Sequence, residues 1–194
     1  MKRTYLLTLK HRLALLMLAA LPGAGHAIEE PDYRVITSFS GVEVRHYTPY
    51  IVAEVTLQAP AEQAANQAFT ILARYIFGKN QQKQTLAMTA PVIQTSIPEG
   101  ERVQFVLPRG TSMNSAPFPL DARIVLREIP AQHWAVIRYS GTWSRENYET
   151  HLKRLRSVLH DAALKPFEPP SWARYNPPFT PWFLRRNEIW LALP

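Results

Sequence analysis

The chain predicts an α+β domain made from a doubled ββαββ unit. Strand-like pairs, one amphipathic helix and further strand-like pairs run from Tyr33 to Leu107, and the same order recurs from Ala122 to Leu193. A proline-bearing segment, Asn176-Pro177-Pro178-Phe179, stands in the second copy near where the first has Thr89-Ala90-Pro91-Val92. Each half alone would leave an apolar sheet face in water, so the two halves are expected to bury their faces against each other in one closed domain. Such a doubled unit, with clefts between helix and sheet, points to a ligand-holding module rather than a chain organised around a catalytic motif.

Residues 1–27 carry the layout of a cleaved export signal. Lys2, Arg3, Lys10 and Arg12 form a basic head, Leu13 to Leu21 is a short apolar run, and Gly25-His26-Ala27 supplies small residues before a cut at Ile28. Pro22-Gly23 interrupts the run too early for a bilayer span, which needs about 20 apolar residues, and no later stretch is long and apolar enough to span. The expected address is the periplasm or the outside. The expected mature domain, residues 28–194, holds 167 residues, enough for one domain with a real core. The leader has four of the 22 basic residues and none of the 15 acidic ones, so the remainder carries a net charge of +3. That small excess gives no case for nucleic-acid binding. With no cysteine in the chain, thiolate ligands, iron–sulfur clusters, disulfides and cysteine nucleophiles are excluded.

The elements follow in order. Tyr33-Arg34-Val35-Ile36 opens the sheet, Ser40-Gly41 turns it, and Val42, Val44 and His46 alternate with Glu43, Arg45 and Tyr47 on opposite strand faces. Ile51 to Leu57, rich in β-branched residues, continues the sheet. Pro60 opens a first helix whose stripe is Ala65, Ala68, Phe69, Leu72, Tyr75 and Ile76, and Gly78 stops it. Thr85 to Ser96 and Val103 to Leu107 are strands, and Pro108 to Asp121 links the halves. Arg123 to Ile129 and Ala135 to Tyr139 follow. Ser144 caps a second helix with the stripe Tyr148, Leu152, Leu155, Leu159 and Ala162; Pro166 to Pro170 ends it, and Trp172 to Tyr175 and Glu188 to Leu193 complete the sheet.

Hydrolytic and nucleotide-binding templates are missing: there is no Gly-x-Ser-x-Gly elbow, no His-Glu-x-x-His helix and no phosphate-cradling glycine loop. Of the histidines beyond the leader, His151 and His160 fall on the second helix, and His133, beside Trp134 near a turn, has no assigned role. His46 shares a strand face with Val42 and Val44. Such a histidine either bonds a backbone carbonyl at the core's rim or offers a neutral imidazole nitrogen to a metal.

Six segments occur in order: Tyr33-Arg34-Val35-Ile36, Val44-Arg45-His46-Tyr47, Tyr75-Ile76-Phe77-Gly78-Lys79-Asn80, Met88-Thr89-Ala90-Pro91-Val92, Tyr175-Asn176-Pro177-Pro178 and Arg186-Asn187-Glu188-Ile189. Together they resemble the SOUL haem-binding protein family over nearly all of residues 28–194. The resemblance implies a distorted antiparallel β-barrel with pseudo-twofold symmetry, flanked by two helices. It implies reversible binding of haem or a related tetrapyrrole in a shallow apolar cleft, as carrier, buffer or sensor rather than catalyst. His46 matches a position proposed in some members as the haem axial ligand. The first-helix cleft falls on Phe69, Ala73 and Arg74, with Arg74 placed to pair a propionate; some members have methionines where Phe69 and Ala73 stand. Met88 is expected to pack, and Trp182 and Phe183 to form a pocket lip. Two other readings stay open: an enzyme acting on a tetrapyrrole or other small apolar substrate, for which Glu54 or Glu43 would have to serve as a cleft carboxylate, and a module for protein or lipid partners. Expression of the whole chain in a host with an export pathway should give a processed protein beginning at Ile28, read by terminal sequencing; recovery of intact Met1 in the membrane fraction would contradict the leader.

Overall fold

The computed structural model describes residues 28–194; the proposed leader lies outside the described residues. The strands are β1 (Tyr33–Phe39), β2 (Val42–Tyr47), β3 (Tyr50–Leu57), β4 (Val92–Ile97), β5 (Gly100–Val106), β6 (Val125–Ile129), β7 (Gln132–Tyr139), β8 (Phe167–Arg174) and β9 (Asn187–Leu193). The helices are α1 (Ala61–Ile76) and α2 (Arg145–Asp161). All pairings are antiparallel, in one nine-stranded sheet of order β1-β2-β7-β9-β8-β4-β5-β3-β6. Exchanging β2 with β6, β3 with β7, β4 with β8 and β5 with β9 reproduces this order, apart from the extra edge strand β1. The two halves are therefore β2-β3-α1-β4-β5 and β6-β7-α2-β8-β9, with the pseudo-twofold axis between β4 and β8. Each half lends its first strand to the other: β2 pairs with β7, and β6 with β3. That exchange is how the halves share their burial.

The sheet curls into a distorted barrel. Its inner face is lined by Tyr47, Val52, Ile93, Val106, Val136, Ala173, Tyr175 and Trp190, one buried cluster drawn from seven strands. On the outer face α1 packs on β3 and β5 through Ala68, Ile71, Leu72, Tyr75 and Ile76. α2 packs on β7 and β9 through Tyr148, Leu152, Leu155 and Leu159. The Ser40-Gly41 hairpin loop has both residues at positive φ (50° and 79°), the turn whose twist matches that of the flanking strands. Ser144 caps α2 by accepting from the Asn147 amide, and Gly78, at φ 95°, follows the end of α1 as a left-handed stop.

Several boundaries differ from the sequence expectation. The α1 stripe takes in Ala64 and Ile71, while Phe69 stands 42 % exposed beside it. Ala162 is the exposed C-cap of α2 rather than part of its stripe. β4 begins only at Val92, because residues 83–86 fold back on the end of α1, with the Leu86 amide bonded to the Ile76 carbonyl. β8 starts early, at Phe167, and absorbs Pro169 and Pro170 in a register shift between Phe167 and Ser171. β7 starts at Gln132, so His133 lies within a strand.

At the centre of the barrel Glu188 is fully buried and accepts five hydrogen bonds. Arg45 Nη1 and Nη2 donate at 2.9 and 3.2 Å, Tyr175 Oη at 2.7 Å, Trp190 Nε1 at 2.8 Å and Arg186 Nε at 3.0 Å. Burial by itself would raise the Glu188 pKa. The two guanidiniums and the tyrosine hydroxyl overcome that and hold it below its ordinary 4.5. Because the folded value lies below the unfolded one, this group's stabilisation is whole above pH 4.5 and is lost as the pH falls through the native pKa. Glu188→Gln leaves the buried Arg45 and the half-buried Arg186 guanidiniums undercompensated and should cost about 3–5 kcal/mol in urea denaturation at pH 7. A variant with the parental midpoint would show that the network does not hold the barrel.

Candidate functional site

Strand alternation places a row of side chains on the outer face at the pseudo-twofold axis. On β8, Ala173 points inward with Tyr175, so Trp172 and Arg174 point outward. On β9, Glu188 and Trp190 point inward, so Asn187 and Ile189 point outward. The register then joins one rung across five strands: Phe105 opposite Val92, Val92 opposite Arg174, Arg174 opposite Asn187, and Asn187 opposite Tyr139. α1 stands over the Phe105 end and α2 over the Tyr139 end, which makes the rung the floor of a trough between the helices.

The walls are aromatic. Phe69 of α1 meets Phe105 edge-on at 5.2 Å between ring centres. Tyr148 of α2 lies 3.9 Å from Trp172. Trp143, in the turn before α2, donates from Nε1 to Asn187 Oδ1 at 2.8 Å. The β8–β9 loop supplies a lip, in which Trp182 and Phe183 touch edge-on at 5.5 Å and are each 58 % exposed. The Gly141 amide bonds to the Trp182 carbonyl at 2.9 Å and ties this lip to the turn. Arg185 lies 4.4 Å from the Trp143 ring centre.

Arg174 is the electrostatic feature of the trough. Its guanidinium lies 5.2 and 5.4 Å from the ring centres of Trp143 and Trp172. Among the described residues no carboxylate is within ion-pair distance of it. Desolvation by burial holds its pKa below the usual arginine value, although Tyr139, Glu62 and Glu101 oppose that from farther off. An arginine does not give up its proton in a protein, so a cation short of counter-charge remains on an apolar floor. The hollow bounded by Tyr139, Trp143, Tyr148, Trp172 and Arg174 amounts to about 10 Å³, at the lower limit for a single water. The deep side of the trough is therefore filled by its own aromatic rings, and a flat ligand has to lie on them or displace Trp143.

The sequence-predicted residues fall in two places. Phe69 is on the trough wall, and Ala73, one turn on and half-buried, packs against the α1 core. Arg74 is exposed, and its charge is felt at Asp121; the basic group on the floor is Arg174 instead. His46 is half-buried on β2, paired across the sheet with His133. His133 and Tyr139 are six residues apart on β7, roughly 20 Å of extended strand, so the structure does not bring His46 to the trough floor. Met88 is exposed rather than packed. Trp182 and Phe183, expected at a pocket lip, stand exposed in the β8–β9 loop beside the turn that carries Trp143. Sequence reading missed Arg174, Trp143 and Asn187. The available signal was the alternation of Trp172 and Arg174 against Ala173 and Tyr175, which gives a strand with one aromatic and cationic face.

Similarity to known proteins identifies the family. The SOUL heme-binding protein family matches residues 28–192. The chain belongs to the SOUL haem-binding protein family. Within it, heme-binding protein 1 of Xenopus tropicalis is 31 % identical over 137 residues, covering 68 % of this chain and 72 % of that protein. Heme-binding protein 2 of Homo sapiens is 27 % identical over 187 residues, covering 89 % and 90 %. The same fold recurs in solved structures: the EcmrR C-terminal domain (TM-score 0.60, 12 % identity, 84 % of this chain and 98 % of that one) and a hydrolase from Listeria innocua (TM-score 0.56, 8 % identity, 82 % and 94 %).

An unpaired desolvated cation lowers stability, so Arg174→Met should leave the ligand-free protein as stable as the parent or up to about 1 kcal/mol more stable in urea. A loss of several kcal/mol would mean that Arg174 serves the fold rather than a ligand.

Proposed function

We propose that this protein binds haem or a related tetrapyrrole, reversibly, over the trough between α1 and α2, as a carrier, buffer or sensor. The observation that carries the reading is Arg174: an unpaired guanidinium beside Trp143 and Trp172, two strands along the rung from the Phe105–Phe69 pair, matches a flat apolar ligand that bears carboxylates. Burial of the macrocycle against these rings supplies the driving force, at about 25 cal/mol per Å² removed from water. Arg174 then pairs with a ligand carboxylate through parallel hydrogen bonds and gains the counter-charge it lacks. The names of the family's relatives, all heme-binding proteins, support this ligand class.

The rung carries no histidine, cysteine or methionine. In this reading the ring and its carboxylates, rather than a bond to iron, hold the ligand. A binding role is favoured over catalysis because the strand carboxylates are already engaged: Glu54 accepts from Gln104 at 2.7 Å and from Arg127 at 2.9 Å, and Glu43 accepts from Arg45 at 2.7 Å. We place the activity outside the cytoplasm, on the strength of the leader sequence. No helix among the described residues is long and apolar enough to cross a membrane.

Titration of the untagged protein should give saturable Soret changes with haem and a comparable affinity for metal-free protoporphyrin, read by tryptophan quenching. Arg174→Met should weaken both by tenfold or more, from the roughly 1.5–3 kcal/mol of a charged hydrogen bond, and His46→Ala should leave both unchanged. The absence of any saturable signal at micromolar protein, or its loss in His46→Ala alone, would overturn the reading.

A further inference from the structure

The second place to which the sequence pointed has its own chemistry. His46 and His133 are directly opposite each other on β2 and β7, with ring centres 4.7 Å apart. His46 Nδ1 is buried and has no hydrogen-bond partner among the described residues. His133 likewise makes no side-chain hydrogen bond among the described residues, whereas His151 contacts the Asn147 carbonyl at 2.7 Å and His160 contacts Asp161 at 3.5 Å. A buried polar nitrogen left unpaired costs about 1–3 kcal/mol, so a retained one calls for a bound partner. Trough and histidine pair lie roughly 20 Å apart along β7, and this inference does not rest on the tetrapyrrole reading.

We propose that His46 and His133 form a two-imidazole chelate for a late first-row divalent ion: copper(II), nickel(II) or zinc(II). Neutral imidazole is the ligand these ions favour. Metal–nitrogen bonds of about 2 Å put the two nitrogens of a chelate roughly 3 Å apart, a separation compatible with directly opposed rings whose centres are 4.7 Å apart. Leu193 pairs with His133 on β9 and Val44 lies two residues before His46, which leaves the pair against an apolar flank. Arg34, opposite His46 on β1, is exposed, and solvent screens its charge. No cluster of three or more His, Cys, Asp or Glu among the described residues is placed to hold a metal, so water fills the remaining positions. Copper should bind tightest of the three.

The test is titration of the untagged protein processed at Ile28 with copper(II) alone, followed by calorimetry and electron paramagnetic resonance. One equivalent should bind with the nitrogen hyperfine pattern of two imidazoles. His46→Gln and His133→Gln should each weaken it by at least about tenfold, the lower end of what even an outer-shell change costs, while His160→Gln should bind as the parent does. Because a substituted strand can misfold, the parent protein supplies a second readout: amide signals broadened by copper should be confined to the strand segments around Arg34, His46, His133 and Leu193. Parental affinity in either glutamine variant, loss of the site in His160→Gln, or broadening centred elsewhere would overturn the proposal.

Discussion

The buried carboxylate of Glu188 sets the geometry on which the rest depends. It receives bonds from Arg45 on β2, from Tyr175 just past β8, and from Arg186 and Trp190 on and beside β9. One side chain thereby ties three stretches of sheet to the inside of the curl. Strand periodicity carries that constraint to the surface. With Glu188 inward, Asn187 must point outward and hold Trp143. With Ala173 and Tyr175 inward, Arg174 must point outward beneath it. A slip of one residue would turn Glu188 outward and leave the buried Arg45 guanidinium without its counter-charge, at a cost of several kcal/mol.

The pseudo-twofold arrangement explains why the trough lies where it does. The axis lies between β4 and β8, the strands that pair Val92 with Arg174, and each helix packs on the strands of its own half. The two helices meet this central strip only from its sides, α1 through the Gln94 bond to the Ala61 carbonyl and α2 through Tyr148 on Trp172. The sequence breaks the symmetry there, with Val92 on one strand and Arg174 facing it on the other. Retaining an unpaired guanidinium on such a floor is a local cost, and such costs tend to fall where function is served.

Most of the architecture was legible before any coordinates. Period-two runs and two amphipathic stripes gave the doubled unit, and Pro60, Gly78, Ser144 and the Ser40-Gly41 turn marked its joints through their backbone preferences. Boundaries failed where tertiary packing overrode local signals, as at Pro169 and Pro170, which a bulge accommodates inside β8. Site residues were harder. Phe69 came to the site through the family resemblance, whereas its helix stripe alone assigned it to the core. Arg174 was hidden because its meaning comes from strand pairing across the axis, between residues 82 positions apart in sequence. Arg74 looked equally suitable until α1 was seen to turn it toward Asp121. His46 was read as a strand histidine and is one, with His133 as its cross-strand neighbour, and nothing local to either residue reveals that pairing.

The most direct measurement is a map of backbone amide shifts on adding a diamagnetic, metal-free porphyrin to isotopically labelled protein. Shifts concentrated at Phe69, Val92, Trp143, Arg174 and the loop from Phe179 to Arg185 would place the ligand over the axis. Shifts centred on β1, His46 and His133, with the trough unmoved, would contradict the account.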